Sequence, residues 1–145
     1  MERKIHLRNE VPAHDTWDLT SLYKTSDEWE KDIIRITEIS KTLEQYKGKL
    51  TNSPEQMLSA LQEYSLLQEV SEKAGSYAFL LTATDAANSE YQDKQGRYMM
   101  AASSAEERTS FFIPEIQSLS DQEFLNRMKK PEYSEFSVFL SKLFR

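Results

Sequence analysis

The stretch "SPEQMLSALQEYSLLQEVSEKAGSYAFLLTAT", Ser53 to Thr84, decides the fold. A capping serine is followed by proline at the first helical position and by glutamine at the third, which together mark a helix start. The apolar residues that follow recur in steps of three and four, so they share one face of an α-helix. We therefore predict one helix from Pro54 to about Thr84. Its apolar face is formed by Met57, Leu61, Tyr64, Leu67, Val70, Ala74, Tyr77 and Leu81.

One residue in this stretch works against the helix. Gly75 costs a helix about 1 kcal/mol relative to alanine. We expect it to be there because another backbone passes close to it.

The preceding segment predicts another helix by the same signals. Thr25-Ser26-Asp27-Glu28 has the pattern of a capping box, with a hydroxyl side chain followed three residues later by glutamate. Apolar residues from Trp29 to Tyr46 then recur in steps of three and four. Gly48 is placed where a helix would end through a left-handed residue. We predict this helix over Ser26 to Lys47.

The remaining segments also read as helices. Ser89, with Gln92 three residues later, predicts the cap of a third helix. That helix should kink or stop around Phe112, because Pro114 disfavours helix at the residue before it.

Two further starts follow, a capping box at Ser120 to Glu123 and a proline at Pro131. The fold class is therefore predicted to be all-α, with about five helices in an antiparallel bundle preceded by an irregular N-terminal leader.

Composition narrows the possible functions. The chain of 145 residues has 24 acidic and 18 basic residues, a net charge of -6 and no cysteine. Acidic charge without a basic cluster disfavours nucleic acids and anionic membranes as partners. The absence of cysteine excludes disulfides and thiolate metal sites and fits a reducing compartment. Because no signal peptide or membrane span is evident, we expect a cytoplasmic protein.

Five segments carry a resemblance to a known family. "RNEVPAHDTWDLTSLYKTSDEWEKD" (Arg8 to Asp32) resembles the opening of oligoendopeptidase F, in the thimet-oligopeptidase-like group of zinc metallopeptidases. The other four follow in the expected order: "YKGKL" (Tyr46 to Leu50), "YAFLLTATDAANSEYQ" (Tyr77 to Gln92), "SFFIPEI" (Ser110 to Ile116) and "FSVFLSKLFR" (Phe136 to Arg145). The resemblance covers nearly the whole chain, and it concerns the N-terminal region of that family.

The resemblance implies a helix-rich peptidase whose helices enclose a channel above a zinc ion. The family's catalytic motif, His-Glu-x-x-His, places two zinc-binding histidines on one helix face and a glutamate as general base. This sequence has two histidines, His6 and His14, and neither is followed by glutamate. We therefore expect no catalytic residue, no metal ligand and no cofactor in this chain, with zinc implied for the full-length family.

The resemblance also implies a division of the chain. Residues 1–25 would be an extended leader that packs on the helices, and residues 26–145 a helical N-terminal domain. The apolar pattern continues to Arg145, so we expect the domain to be truncated at its C-terminus. Buried anchors would fasten the leader across the helical body, since large aromatic side chains offer much contact area. These anchors are Trp17, Leu19, Leu22, Tyr23 and Trp29.

Four tyrosines are candidates for the wall of a peptide-binding channel: Tyr64, Tyr77, Tyr91 and Tyr98. At helical spacing, the alternative is that they are core residues. "MMAASSA" (Met99 to Ala105) is either an adaptable binding face or a site of close helix packing.

Two sets of polar residues are candidate functional sites, and each has two interpretations. His6 and His14 could bind a metal with Glu10 or Asp15, or they are surface groups. A second set of carboxylates could form a hydrolytic pair or a cation site, or they serve as caps and turn contacts. This set comprises Asp15, Asp18, Asp27 and Glu28.

Two functions remain open at this stage. The chain is the N-terminal region of a zinc oligopeptidase, where it walls the substrate channel and has the C-terminal catalytic region and oligopeptides as partners. Alternatively, it is a free-standing helical protein-interaction module that has lost the catalytic half. In the first case we expect no hydrolysis by the isolated chain, and we expect self-association through bare apolar stripes.

Overall fold

The computed structural model describes residues 18–144, and within that range the chain is all-α, as predicted. Its α-helices are α1 (Ser26–Glu44), α2 (Pro54–Thr84), α3 (Ser89–Thr109), α4 (Phe112–Gln117), α5 (Asp121–Met128) and α6 (Ser137–Leu143). Short 3-10 helices cover Leu19–Ser21 and Pro131–Phe136. The described residues thus form six α-helices where the sequence predicted about five helices, and α4 is the addition.

The described residues fall into two compact units. The first unit combines the residues up to Ile36 with Glu69–Ser103, and the second combines Thr37–Gln68 with the residues from Ser104 onward. Within residues 18–144, no helix has both the length and the apolarity needed to cross a bilayer.

Three of the predicted helix starts are confirmed by their capping hydrogen bonds. Ser53 Oγ accepts from the amide of Gln56 at 3.1 Å, and Ser120 Oγ accepts from the amide of Glu123 at 3.3 Å. At the start of α1, Thr25 Oγ1 accepts from the amide of Glu28 at 3.3 Å. Each bond satisfies an amide that the first turn of a helix leaves without a partner.

The predicted cap of α3 is wrong. Asn88 Oδ1 accepts from the amides of Glu90 at 3.0 Å and Tyr91 at 3.2 Å. Gln92 donates to the carbonyl of Ala86 at 2.6 Å instead of reaching back in a capping box. Asparagine caps a helix at least as well as serine, and Asn88 lies directly before Ser89, the first residue of α3.

Two predicted helix ends also shift. α1 ends at Glu44 instead of Lys47, and the chain continues through tight turns to Gly48, whose φ of 80° confirms the left-handed exit residue. α3 ends at Thr109, and Pro114 lies in the first turn of α4. A first turn tolerates proline, because its amide would lack a helical partner in any case.

The last predicted helix begins differently from expectation. Pro131 opens the 3-10 helix Pro131–Phe136, and regular α-helix starts only at Ser137.

The leader is described only from Asp18 onward. Asp18 Oδ1 accepts from the amide of Thr20 at 3.0 Å at the start of the first 3-10 helix. Trp17 lies outside the described residues. The division of the chain into residues 1–25 and 26–145 stays a prediction.

In the second unit, the connection from α1 to α2 is fixed by side chains from α4 and α5. Glu115 accepts from the amides of Gly48 and Leu50. Arg127 is buried and donates from Nη2 to the carbonyl of Thr51 at 2.7 Å. A buried guanidinium is stable only when its donors are satisfied, and Glu123 at 3.1 Å from Nε also contributes.

In the first unit, Trp29 of α1 is fully buried and donates from Nε1 to the carbonyl of Ala74 in α2 at 3.0 Å. The Lys94 ammonium lies 4.6 Å and the Arg97 guanidinium 5.3 Å from the centre of a Trp29 ring, both from α3. Cations over an indole face are attracted by its negative π-face. The same Arg97 forms two hydrogen bonds to Glu30, at 2.6 and 2.7 Å.

The close approach predicted at Gly75 is confirmed, but the neighbour is a side chain and not a backbone. A Cβ atom at Gly75 would overlap with Cζ of the Tyr98 ring. The tyrosine ring of α3 therefore occupies the space that a side chain on α2 would need.

This contact predicts how alanine substitutions at two helical glycines will differ. Gly96→Ala should raise the free energy of unfolding by about 1 kcal/mol, because a Cβ there has no neighbour within 4 Å. Gly75→Ala should raise the free energy of unfolding by clearly less, since the ring of Tyr98 must move. In a Tyr98→Ala background, Gly75→Ala should raise the free energy of unfolding by as much as Gly96→Ala does. Urea denaturation of the four variants measures this coupling. Equal gains at Gly75 and Gly96 in the wild-type background would contradict it.

Candidate functional site

The candidate site in the second unit is a pocket of about 390 Å³ beside Tyr64. Its lining has an apolar part, formed by Leu61, Tyr64, Phe136 and Phe139, and a polar part, formed by Ser65, Gln68 and Glu135. Leu61 and Phe136 are buried, whereas the three polar residues are exposed. We call this the Tyr64 pocket. Its volume and its mainly apolar lining are typical of sites for small ligands.

The ring of Tyr64 is held in place by two other aromatic rings. It is stacked on Phe112, with ring centres 4.2 Å apart and planes 8° from parallel. Phe139 lies against it at 5.9 Å with a tilt of 38°. Aromatic pairs of this kind stabilise a fixed arrangement beyond the area they bury, so the aromatic wall of the pocket is preformed.

The other three candidate tyrosines lie in the first unit. Tyr77 meets Tyr23 edge to face, with ring centres 5.1 Å apart. Tyr98 lies over Gly75, as described above, and Tyr91 is half-buried on α3. Burial raises the pKa of Tyr77, and the proximity of Tyr91 raises it further. The structure therefore places Tyr77, Tyr91 and Tyr98 in one unit and Tyr64 in the other, and their channel role stays a prediction.

A second, charged pocket of about 440 Å³ lies in the first unit. It is lined by Ser26, Ser89, Glu90, Asp93, Lys94 and Arg97. Both cations are engaged: Arg97 binds Asp93 at 2.9 Å as well as Glu30, and Lys94 contacts Glu30 at 3.3 Å and Ser26 at 2.7 Å. The pairing with Glu30 is strong enough to lower the pKa of that carboxyl. Among the described residues that line this pocket, both cations are therefore already paired with carboxylates.

Zinc does not fit the described part of the chain. Among residues 18–144, no group of three or more histidine, cysteine, aspartate or glutamate side chains lies close enough to hold a metal ion. The candidate metal ligands of the leader lie outside the described residues, so their role stays a prediction. They are His6, His14, Glu10 and Asp15.

The remaining carboxylates of the second candidate set lie at helix starts. Asp18 caps the first 3-10 helix, and Glu28 Oε2 accepts from the amide of Lys24 at 3.0 Å. The interpretation of these two as cap and turn contacts is confirmed. Asp27 lies in the first turn of α1, where a negative charge is favourable.

The proposed leader anchors differ in burial. Tyr23 is 3% exposed and Trp29 is fully buried, whereas Leu19 and Leu22 are half-buried. Tyr23 donates to Asp32 at 2.7 Å, and Lys73 lies 4.4 Å above its ring. Whether these residues fasten the leader to a larger protein stays a prediction.

The residues of "MMAASSA" differ in exposure. Met99 and Met100 are 59% and 73% exposed, and Ala105 is buried. The methionines therefore present apolar side chains to solvent, and their role as a binding face stays a prediction.

Some important residues carried no clear signal in the sequence. The cations over Trp29, the buried Arg127 and the double acceptor Glu115 are ordinary charged residues on polar helix faces, and their partners lie far away along the chain. Glu115 lies in "SFFIPEI" and both of its partners lie in "YKGKL", but the family resemblance did not predict a contact between these two segments.

The buried tyrosines predict a loss of stability in alkali. Burial raises the pKa of Tyr133, in the second unit, to about 12, whereas an unfolded tyrosine titrates near 10. The resulting stability is complete below about pH 10 and is lost as the pH rises through 12, because the unfolded chain releases the proton first. In Tyr133→Phe, the free energy of unfolding should fall between pH 8 and pH 11.5 by about 1–2 kcal/mol less than in the wild type.

Urea denaturation from pH 8 to pH 11.5 tests this. Tyr133→Phe also loses the hydrogen bond from its hydroxyl to the carbonyl of Pro54, which gives a constant offset at every pH below 10. Stability curves that stay parallel up to pH 11.5 would refute the assignment.

Comparison with known proteins identifies relatives among bacterial peptidases. The chain is 32% identical over 136 residues to Oligopeptidase PepF of Bacillus subtilis (strain 168), a match that covers 90% of this chain and 20% of that protein. It is 33% identical over 116 residues to the plasmid-encoded Oligoendopeptidase F of Lactococcus lactis subsp. cremoris, covering 79% of this chain and 19% of that protein. No protein-family profile matches the chain.

Two solved structures are similar as well. A protein from Chlamydophila abortus, described as a peptidase, has a TM-score of 0.86 and 25% identity, over 98% of this chain and 24% of that one. Oligoendopeptidase-F from Enterococcus faecium has a TM-score of 0.76 and 26% identity, over 82% of this chain and 24% of that one. The resemblance to oligoendopeptidase F is therefore confirmed over most of this chain, which corresponds to about one fifth of the length of those relatives.

Proposed function

We propose that the chain is the N-terminal helical region of an oligoendopeptidase F-like zinc metallopeptidase that hydrolyses short peptides. The observation that supports this most directly is the 32% identity to Oligopeptidase PepF over 90% of the chain. The helical fold shared with the Enterococcus faecium enzyme supports it independently.

In this proposal the chain has no part in bond cleavage. Zinc peptidases activate water with two histidines and a glutamate in one short motif, and the sequence of this chain contains no such motif. Zinc and the general base would be supplied by the C-terminal catalytic region of the parent, which is the first partner of this chain. The parent would act on oligopeptides in the cytoplasm.

The contribution of the chain would be to wall the substrate channel and restrict it to short peptides. α1, α2 and α3 have 19, 31 and 21 residues, long enough to form extended surfaces. Trp29 is buried among the helices of the first unit, and in the second unit Arg127 binds the connection from α1 to α2. A wall of this kind excludes folded proteins by size without contacting the reacting bond. The half-buried tyrosines Tyr64, Tyr77, Tyr91 and Tyr98 are its candidate contacts with peptide.

A chimera tests the proposal. The matching 136 residues of the Bacillus subtilis relative are replaced by the corresponding residues of this chain. We expect the chimera to hydrolyse an internally quenched peptide within about tenfold of the parent rate, because the wall would be equivalent. A chelator should abolish the activity of both proteins.

Two controls make the result decisive. The chimera with Trp29→Ala should unfold at lower temperature, since truncating a fully buried tryptophan costs about 3–5 kcal/mol. The isolated chain of 145 residues with added zinc should show no turnover. A chimera that melts like the parent but is inactive would contradict the proposal, as would turnover by the purified isolated chain.

The isolated chain should also self-associate. Large apolar side chains are exposed in the first unit, and exposed apolar surface favours association. They are Ile34, Phe79, Met99 and Met100, each between 59% and 73% exposed. Sedimentation velocity should show a dimer or larger species, and Met99→Gln with Met100→Gln should shift it toward monomer. A monomer in wild-type protein at high concentration would rule this out.

A further inference from the structure

The Tyr64 pocket has a size and a lining suited to one large side chain. Leu61 and Phe136 are buried, at 1% and 8% exposed, and the half-buried rings of Tyr64 and Phe139 supply the accessible apolar lining. The stacking of Tyr64 on Phe112 keeps the aromatic wall in place. A preformed apolar pocket of about 390 Å³ binds an aromatic or large aliphatic group without first having to reorganise.

Two acidic residues lie at or near this pocket. Glu135 lines the pocket and is exposed. Glu106 lies close enough to Tyr64 to raise the pKa of its hydroxyl, in addition to the larger effect of burial. No lysine, arginine or histidine is among the described residues that line the pocket. A ligand with a positive charge beside its apolar group is therefore favoured over a neutral or anionic one.

The polar lining adds hydrogen-bonding groups suited to a peptide. Ser65 and Gln68 of α2 both line the pocket and are exposed, and Gln68 lies four positions from Tyr64, on the same face of the helix. A serine hydroxyl and a glutamine amide both donate and accept, as the backbone of a peptide does.

We propose that the Tyr64 pocket binds the aromatic or large aliphatic side chain of a peptide in which the next residue is lysine or arginine. The inference rests on the proposed function only in taking a peptide as the ligand. The basic residue would pair with Glu135 while the apolar side chain contacts Leu61, Phe136 and Phe139.

Binding of short blocked peptides to the 145-residue chain tests this by chemical-shift perturbation. Acetyl-Phe-Arg-amide should bind with a Kd of about millimolar, as expected for a single small pocket, and should shift the resonances of Leu61, Phe136 and Phe139. Acetyl-Phe-Glu-amide and acetyl-Ala-Arg-amide should each bind at least about threefold more weakly. Added salt should reduce the difference between the arginine and glutamate peptides.

Variants assign the binding to this pocket. Ser65→Phe places a ring at the exposed edge of the pocket and should abolish binding. Glu135→Gln should weaken acetyl-Phe-Arg-amide by about two- to fivefold and leave acetyl-Phe-Glu-amide unchanged or slightly tighter. Glu132→Gln is the matched control, because Glu132 is an exposed carboxylate on the same 3-10 helix that does not line this pocket. It should bind like the wild type. Melting temperatures check that each variant is folded.

Three outcomes would overturn the inference. They are equal binding of all three peptides, unchanged affinity in a folded Ser65→Phe variant, and unchanged resonances around the pocket. None of these outcomes bears on the chimera experiment, which measures hydrolysis, so failure of this inference and failure of the proposed function are separable.

Discussion

The hydrogen bond from the indole of Trp29 to the carbonyl of Ala74 is the contact on which the first unit depends. It joins α1 to α2 through a side chain that has no exposure to solvent. Lys94 and Arg97 of α3 then lie over the ring, and Arg97 returns to α1 through Glu30. Three helices thus meet around one aromatic group that is satisfied at its polar edge and covered by cations. The energy of such a group comes from the area it buries as well as from its partners.

Local signals predicted the helices well where capping and periodicity agreed. α2 has the predicted bounds because serine, proline and glutamine at its start act within one turn, and its apolar stripe is long. The errors occur where two local choices have similar energies. Asn88 and Ser89 are both good caps, and proline at Pro131 is compatible with a 3-10 helix as well as an α-helix. No local signal distinguished Asn88 from Ser89 as the cap, or a 3-10 helix from an α-helix at Pro131.

The candidate site was less predictable, because its geometry depends on contacts between distant residues. Periodicity placed Tyr64 on the apolar face of α2, but its environment is set by Phe112 and Phe139, which are 48 and 75 residues further along the chain. Nothing in the spacing of tyrosines separates one beside a pocket from one packed over Gly75, as Tyr98 is. The family resemblance supplied the expectation of a peptide-binding role, and only the fold showed which tyrosine borders an open space.

The carboxylate of Glu115 has a consequence for how this region can vary in evolution. It accepts from the amides of Gly48 and Leu50, and Gly48 has a positive φ that other residues adopt only with strain. The "SFFIPEI" and "YKGKL" segments are therefore structurally coupled, although Gly48 and Glu115 lie 67 positions apart in the sequence. A natural recombination event with its breakpoint inside α2 or α3 would join an acceptor from one ancestor to a turn from another. Such hybrids should survive only when both ancestors retain the glycine and the glutamate, so the two segments should be inherited together.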